Sequence, residues 1–350
     1  MMIETFDRHR IAGILLSVLT MIAVGFVLKQ TKSVVIPLVI AWLLSYILSP
    51  AVNFMSRKKI PRALAISVVI LFLFGVCYMG GIFLHARITA LAEAFPKYQA
   101  SFTELMRVLN EWLEVSYNPL TEVNWGMIVG GYLVTLSGSL FSFVSELVLV
   151  VVFLIFIFLG QPYFKFKLRK ALSSEYADHI ALIVSSISSQ ISRYLSLQVL
   201  VSAVTGILVW AALALIGVDF PITWGALAFF LNFIPTIGSI AASIPPVLIA
   251  FVQYYPSVLP GVAALVAVTT IQMVIGNGIT PKIMGERLNL SPVVVLVSLL
   301  FWGWLWGVAG ALLAVPITAA IKIVCENFTA LRPISVMMGS GKAYRHSFED

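Results

Sequence analysis

Residues 220–281 form a run of 62 positions without a single Asp, Glu, Lys, Arg or His. One membrane helix needs only about 20 apolar residues, so this run must hold more than one segment. It is also interrupted. Leu231-Asn232-Phe233-Ile234-Pro235-Thr236-Ile237-Gly238-Ser239 sets an amide, a proline and a glycine where a plain span carries Leu, Ile or Val. In lipid, every backbone N–H and C=O needs an internal partner. Helix breaks at membrane depth are therefore confined to protein interiors or to the walls of watery cavities, the usual setting of a transport site. A kinked structural helix is the plainer reading of a single break.

A second break weighs against that plainer reading. A shift of 71 residues lays Pro221 on Pro292, Phe230 on Phe301 and Pro245 on Pro316. Identities this sparse carry little in so apolar a chain; the punctuation carries more. Asn232, Pro235 and Gly238 interrupt the first segment, and Gly303, Gly307 and Gly310 interrupt the second at the corresponding depth. Paired interrupted segments in corresponding positions are the best sequence pointer to a transport site. An unbroken apolar span precedes each one, residues 200–217 and 258–276. If the broken segments are re-entrant hairpins, each unit crosses once and the second unit is inverted. Kinked full spans remain the alternative. The glycines read as helix breakers, so Pro235→Ala with Gly238→Ala is expected to restore helix and to keep or raise stability while transport falls.

Composition sets the class. Sixty per cent of residues are apolar and 11% charged, with a mean hydropathy of +1.02; a soluble domain carries about a quarter charged residues. The expectation is an all-α polytopic membrane protein with about eight membrane segments, two of them broken or re-entrant, in two repeat units. The net charge of +7 does not point to nucleic acid, because the basic residues sit in loops between spans. Arg57-Lys58-Lys59 with Arg62 is the strongest short basic loop and is expected to be cytoplasmic. Alternating outward from it leaves 17 Lys and Arg inside and 5 outside, with both termini cytoplasmic. Lys29 and Lys32 are the local departure from that pattern.

The chain divides into N-terminal membrane helices (1–84), an extracytoplasmic amphipathic segment (85–138), a membrane helix (139–160), a cytoplasmic amphipathic helix (161–197), a transport core (198–325) and a cytoplasmic tail (326–350). In the fourth of these, Ile183, Ile187 and Ile191 line one stripe and a row of serines the other, which reads as an interfacial helix or as part of a gate. Glu146 is the one carboxylate clearly inside a span, near its outer end. No enzyme signature appears: Gly339-Ser340-Gly341-Lys342 is followed by Ala343, where a phosphate loop needs Ser or Thr. Cys77 and Cys325 give no disulfide framework, the four histidines form no ligand cluster, and no cofactor is expected.

These residues resemble a family. The 231–239 motif, Gly276-Asn277 with Pro281-x-Ile283-Met284-Gly285, and Gly307-x-x-Gly310-x-x-x-Ala314-Val315-Pro316 are similar to the AI-2E transporters, nearest to those that export autoinducer-2. The resemblance covers nearly the whole chain. It implies a bacterial inner-membrane permease and a homo-oligomer, a pentamer, in the lipid bilayer. It also implies export of autoinducer-2 or, in other members, sodium(lithium)–proton antiport. Thr280, before Pro281, departs from the acid that exporting members carry there. Proton coupling normally uses a carboxylate at membrane depth, and residues 220–281 hold none. The expected substrate site is Asn232, Pro235, Gly238, Gln272 and Asn277 with Gly303, Gly307 and Gly310, suited to a small, neutral, hydroxyl-rich solute handled by alternating access. Trp302, Trp304 and Trp306 are candidates to stack on such a solute. A non-transporting scaffold is the reading from another class, and it has no need of paired breaks.

Overall fold

The computed structural model describes residues 15–16, 19–112, 131, 146–280 and 289–341. These are helical almost throughout, and an isolated antiparallel bridge joins Leu290 to Gly339. Among the described residues, six helices are long and apolar enough to cross a membrane, and three shorter apolar helices accompany them. The expected all-α polytopic membrane class therefore holds.

The chain opens with α1 (Leu19–Gln30), α2 (Lys32–Arg57) and α3 (Arg62–Trp112). At 1.5 Å per residue α3 is about 76 Å long, against roughly 30 Å of hydrocarbon, so it continues well beyond a membrane without a break at residue 85. Next comes α4 (Glu146–Ala171), with Glu146 exposed at the start of its described part. Helix α5 (Ser174–Ile216) follows and is continuous through residue 197. The boundaries at 84/85 and 197/198 thus fall inside single helices: nothing in either sequence stops the backbone ladder. Helix α5 stops at Gly217, whose φ of 85° closes a left-handed cap. The Gly217 and Val218 N–H groups both reach the Leu213 carbonyl, as such caps do.

The Ile183–Ile187–Ile191–Leu195 stripe of α5 is buried in one cluster with Leu43 and Tyr46 of α2 and with Leu313, Ala320 and Ile323 further along the chain. This apolar face meets protein rather than lipid headgroups, which corrects the interfacial reading.

The first broken segment is a hairpin. Helix α6 (Pro221–Leu231) and helix α7 (Ile237–Gln253) span about 16 and 25 Å and pack against each other. Both ends of the hairpin close together. The Gln253 amide accepts from the Asp219 N–H at 2.8 Å and donates to the Gly217 carbonyl at 2.9 Å, while the Tyr254 hydroxyl donates to the carbonyls of Ile216 and Gly217. The first arm lies tightly on α5. A Cβ built on Gly206 would stand 2.7 Å from the Gly225 carbonyl, and one on Gly225 2.6 Å from the Gly206 carbonyl, a crossing that only small residues permit.

Helix α8 (Leu259–Met273) passes into a π-helical turn, Val274–Ile279. Together they carry the chain about 30 Å to the opposite end. There α9 (Pro292–Asn327) begins, and it too is a hairpin. Gly307 inside it has φ 65° and ψ −141°, and the Ser298 hydroxyl donates to the Ala314 carbonyl at 3.1 Å and meets the Thr318 hydroxyl. In a straight helix, positions 298 and 318 would be about 30 Å apart. The ends of this hairpin also close together: the Ser291 N–H donates to the Met338 carbonyl and the Ser340 N–H to Asn289, bringing in the terminal α10 (Arg332–Met338).

The two hairpins enter from opposite ends. Arg62 donates to Gln161, which sets the α2–α3 turn beside the later part of α4, and His179 bonds to the Asn327 carbonyl, which sets the start of α5 beside the close of the second hairpin. At the other end, Tyr98 and Lys97 of α3 meet Asp219 at the mouth of the first hairpin. The hairpin tips meet between: Ile234 is buried with Leu299 and Ala314, and Leu231 and Trp302 pack on the same cluster.

Candidate functional site

The 71-residue repeat reappears in the backbone. Thr236 and Gly307, 71 positions apart, have φ of 62° and 65°. Pro221 and Pro292 each stand in the first turn of a first arm, where proline's missing N–H costs nothing. A Cβ on Gly238 would lie 1.7 Å from the Leu231 carbonyl, and one on Gly310 1.9 Å from the Trp302 carbonyl. Both turns are thus built around a glycine pressed onto the last turn of the preceding arm. At the first tip, the Pro235 carbonyl accepts from the Ile237 N–H at 2.7 Å across Thr236 at φ 62°, ψ −58°. This is the rare positive-φ form of the γ-turn, in a β-branched residue that avoids such angles.

That strained tip forms one wall of a cavity of about 770 Å³ between the first hairpin, α5, α8 and the two arms of the second hairpin, which contribute Val295 and Val315. Asn232, Thr236, Ser239 and Ser243 reach it from the hairpin, Tyr194 and Gln198 from α5, and Thr269, Gln272 and Thr280 from α8 and the turn beyond it. No Asp, Glu, Lys, Arg or His lies among the described residues lining it. The α5 side chains fix the tip: Gln198 donates to the Asn232 carbonyl at 2.7 Å, and the Asn232 amide donates to the Ser202 hydroxyl at 3.0 Å. On the opposite wall the Gln272 side-chain nitrogen is buried and without a hydrogen-bond partner. An unmet buried donor costs about 1–3 kcal/mol; this nitrogen is enclosed by protein while the residue itself lines the cavity.

Of the residues expected at the site, Asn232, Pro235 and Gln272 line this cavity together. Gly238 is buried behind the tip. Asn277 lies in the π-helical turn, beside Gly276 and Thr280 of the cavity wall; such turns recur at functional sites. Gly303, Gly307 and Gly310 do not line the cavity; they shape the second hairpin, which packs on the first tip and lends Val295 and Val315 to the cavity wall. The tryptophans are elsewhere too. Trp306 donates to the Leu28 carbonyl at 3.1 Å and Trp304 lies under the Lys29 ammonium at 4.7 Å, which corrects the stacking role. Pro281 and the 282–288 loop, with Lys282, lie outside the described residues, as do 1–14, much of 113–145 and the tail from Lys342.

Sequence reading missed Gln198 and Ser202. Their signal was present as three buried polar residues, Gln198, Ser202 and Thr205, spaced along one face of an otherwise apolar span.

Two broken-helix hairpins entering from opposite ends, with a largely apolar cavity that carries amides and hydroxyls against one tip, have the form of an inverted-repeat membrane transporter. Comparison with known proteins gives the family. The chain matches the model of the AI-2E family transporters over residues 16–330. It is 34% identical to a presumed transport protein of Borreliella burgdorferi, over 93% of this chain and 90% of that one. It is 32% identical to the AI-2 transport protein TqsA of Escherichia coli, over 93% and 94%, and 33% identical to the presumed transport protein YhhT of the same organism, over 94% and 95%. The protein belongs to the AI-2E family of transporters.

Proposed function

We propose that this transporter exports a small, neutral, hydroxyl-rich signal, autoinducer-2, across the bacterial inner membrane by alternating access around its two hairpins. The observation that carries this reading is the cavity. It offers amides and hydroxyls, among them Gln272, and no Asp or Glu lies among the described residues lining it. Polar groups of this kind at the ends of broken helices suit hydroxyls and carbonyls of a sugar-like solute. Similarity to a relative named for AI-2 transport supports the same substrate. Asn232, Gln272 and the Pro235 turn contact the solute, Asn277 sits one turn further along, and Gly238, Gly303, Gly307 and Gly310 give the backbone its hairpin geometry. Both termini are cytoplasmic, and the working unit is a homo-oligomer, a pentamer.

The test is flux in proteoliposomes with labelled autoinducer-2, with and without sodium and proton gradients. The expected result is protein-dependent autoinducer-2 flux. Sodium exchanging for protons, with autoinducer-2 left behind, would instead establish the antiporter reading. Movement of neither would favour a scaffold.

A further inference from the structure

A second cavity, of about 650 Å³, lies between α1 and the first arm of the second hairpin and shares no lining residue with the first. Its floor is apolar, with Ile22, Gly25 and Phe26 on one side and Phe301 on the other. One end is different. There Lys29 and Gln30 stand beside Trp304, with the Lys29 ammonium 4.7 Å above the indole ring. The bond from Trp306 to the Leu28 carbonyl ties the two walls together.

We infer that this groove binds an anionic phospholipid of the outer leaflet, with its phosphate at Lys29 and an acyl chain along Phe26 and Phe301. Three observations lead there. First, Lys29 and Lys32 break the basic-inside pattern of the chain, so their charge serves something other than orientation. Second, no carboxylate among the described residues pairs with Lys29. Third, the depth fits. The arm from residue 292 to Trp304 rises about 20 Å from its end of the molecule, within roughly 10 Å of the far side of a 30 Å hydrocarbon layer. A lysine can span that distance to a headgroup, and tryptophan favours the same level. A second copy of the chain is the other candidate occupant. It would take the Lys29 charge out of water, which costs several kcal/mol unless that copy brings a carboxylate to it.

The test is native mass spectrometry of the purified transporter with phosphatidylglycerol or phosphatidylcholine added. The wild type should retain a first phosphatidylglycerol at least five-fold more strongly than phosphatidylcholine. Lys29→Gln should abolish that preference. Gly25→Phe should lower retention of both lipids by filling the groove. Gly25 has open space where a Cβ would stand and Lys29 is exposed, so both variants should keep the wild-type melting temperature. Equal retention of the two lipids by the wild type would overturn the proposal. So would a phosphatidylglycerol preference that survives both variants. A Gly25→Phe chain that loses its oligomeric mass with lipid retention unchanged would put a second copy in the groove instead.

Discussion

At the scale of single residues, three side chains carry the account, and each has its own energetic sign. Asn232 is held at both ends, its carbonyl by Gln198 and its amide by Ser202. Asn232→Leu removes the amide bond and leaves the Ser202 hydroxyl unmet, so transport per folded protein should fall by roughly five- to a hundred-fold, the range set by about 1–3 kcal/mol for a lost buried partner. Flux normalised to folded protein by size-exclusion chromatography reads this directly. Gln272 should behave differently. Its amide nitrogen is buried without a hydrogen-bond partner, so Gln272→Leu removes an unmet donor. The empty protein should melt at the same or a higher temperature while solute affinity drops; a lower melting temperature with affinity intact would make Gln272 a structural residue. Thr236 holds a positive φ that glycine adopts freely. Thr236→Gly should therefore stabilise by up to about 1–2 kcal/mol in a thermal melt. It should also slow transport if the rigid γ-turn positions the solute.

At the scale of elements, the hairpins were legible because proline and glycine punctuate them. The 71-residue spacing of Pro221 with Pro292 in the sequence became the 71-residue spacing of Thr236 with Gly307 at the two tips. What did not show was why the glycines are there. They read as helix breakers, whereas Gly238 and Gly310 are sites of close approach: a Cβ would lie within 2 Å of the Leu231 and Trp302 carbonyls. The sequence says that a residue is small, and only the fold says what presses on it. The expectation that Gly238→Ala with Pro235→Ala keeps stability is therefore reversed. Gly238→Ala or Gly310→Ala should lower the melting temperature, with a cost of about 1–3 kcal/mol for forced overpacking. The hairpin form of α9 has its own test. Cysteines placed at 298 and 318 should cross-link in high yield, since the native hydroxyls touch. A straight helix would hold them about 30 Å apart, and an absence of cross-linking would restore the kinked-span reading. The α5 wall was invisible for a related reason. Tyr194 and Gln198 sit on a helix whose apolar stripe is satisfied by α2 and α9, partners that sequence periodicity does not name.

At the scale of the whole molecule, the two hairpins form an antiparallel pair with their tips in contact and their mouths at opposite ends. The mouth of the first is tied to the α3 extension: the Asp219 carboxylate takes the Tyr98 hydroxyl and lies 3.6 Å from Lys97, and the Asp219 carbonyl accepts from the Trp224 indole at 2.9 Å. Burial, then the Asp219 carboxylate, hold the Tyr98 phenol well above the ordinary tyrosine range, so this contact persists across physiological pH. In the proposed orientation, with both termini cytoplasmic, that mouth lies outside the cell and the 57–62 turn inside. In a Cys77→Ala, Cys325→Ala background, a cysteine at 104 should label only from outside and one at 58 only from inside; the reverse pattern would invert the molecule in the membrane.

The central claim is that the uncharged cavity beside the first hairpin tip receives the solute. Thr269 lines that cavity and is exposed to it, so the direct measurement is the rate at which a maleimide modifies Thr269→Cys in the cysteine-free background. Autoinducer-2 should slow that reaction in a saturable way, sodium chloride at the same concentration should not, and Gln272→Leu should shift the protection to higher solute concentration. Protection by sodium but not by autoinducer-2, or by neither, would contradict the account.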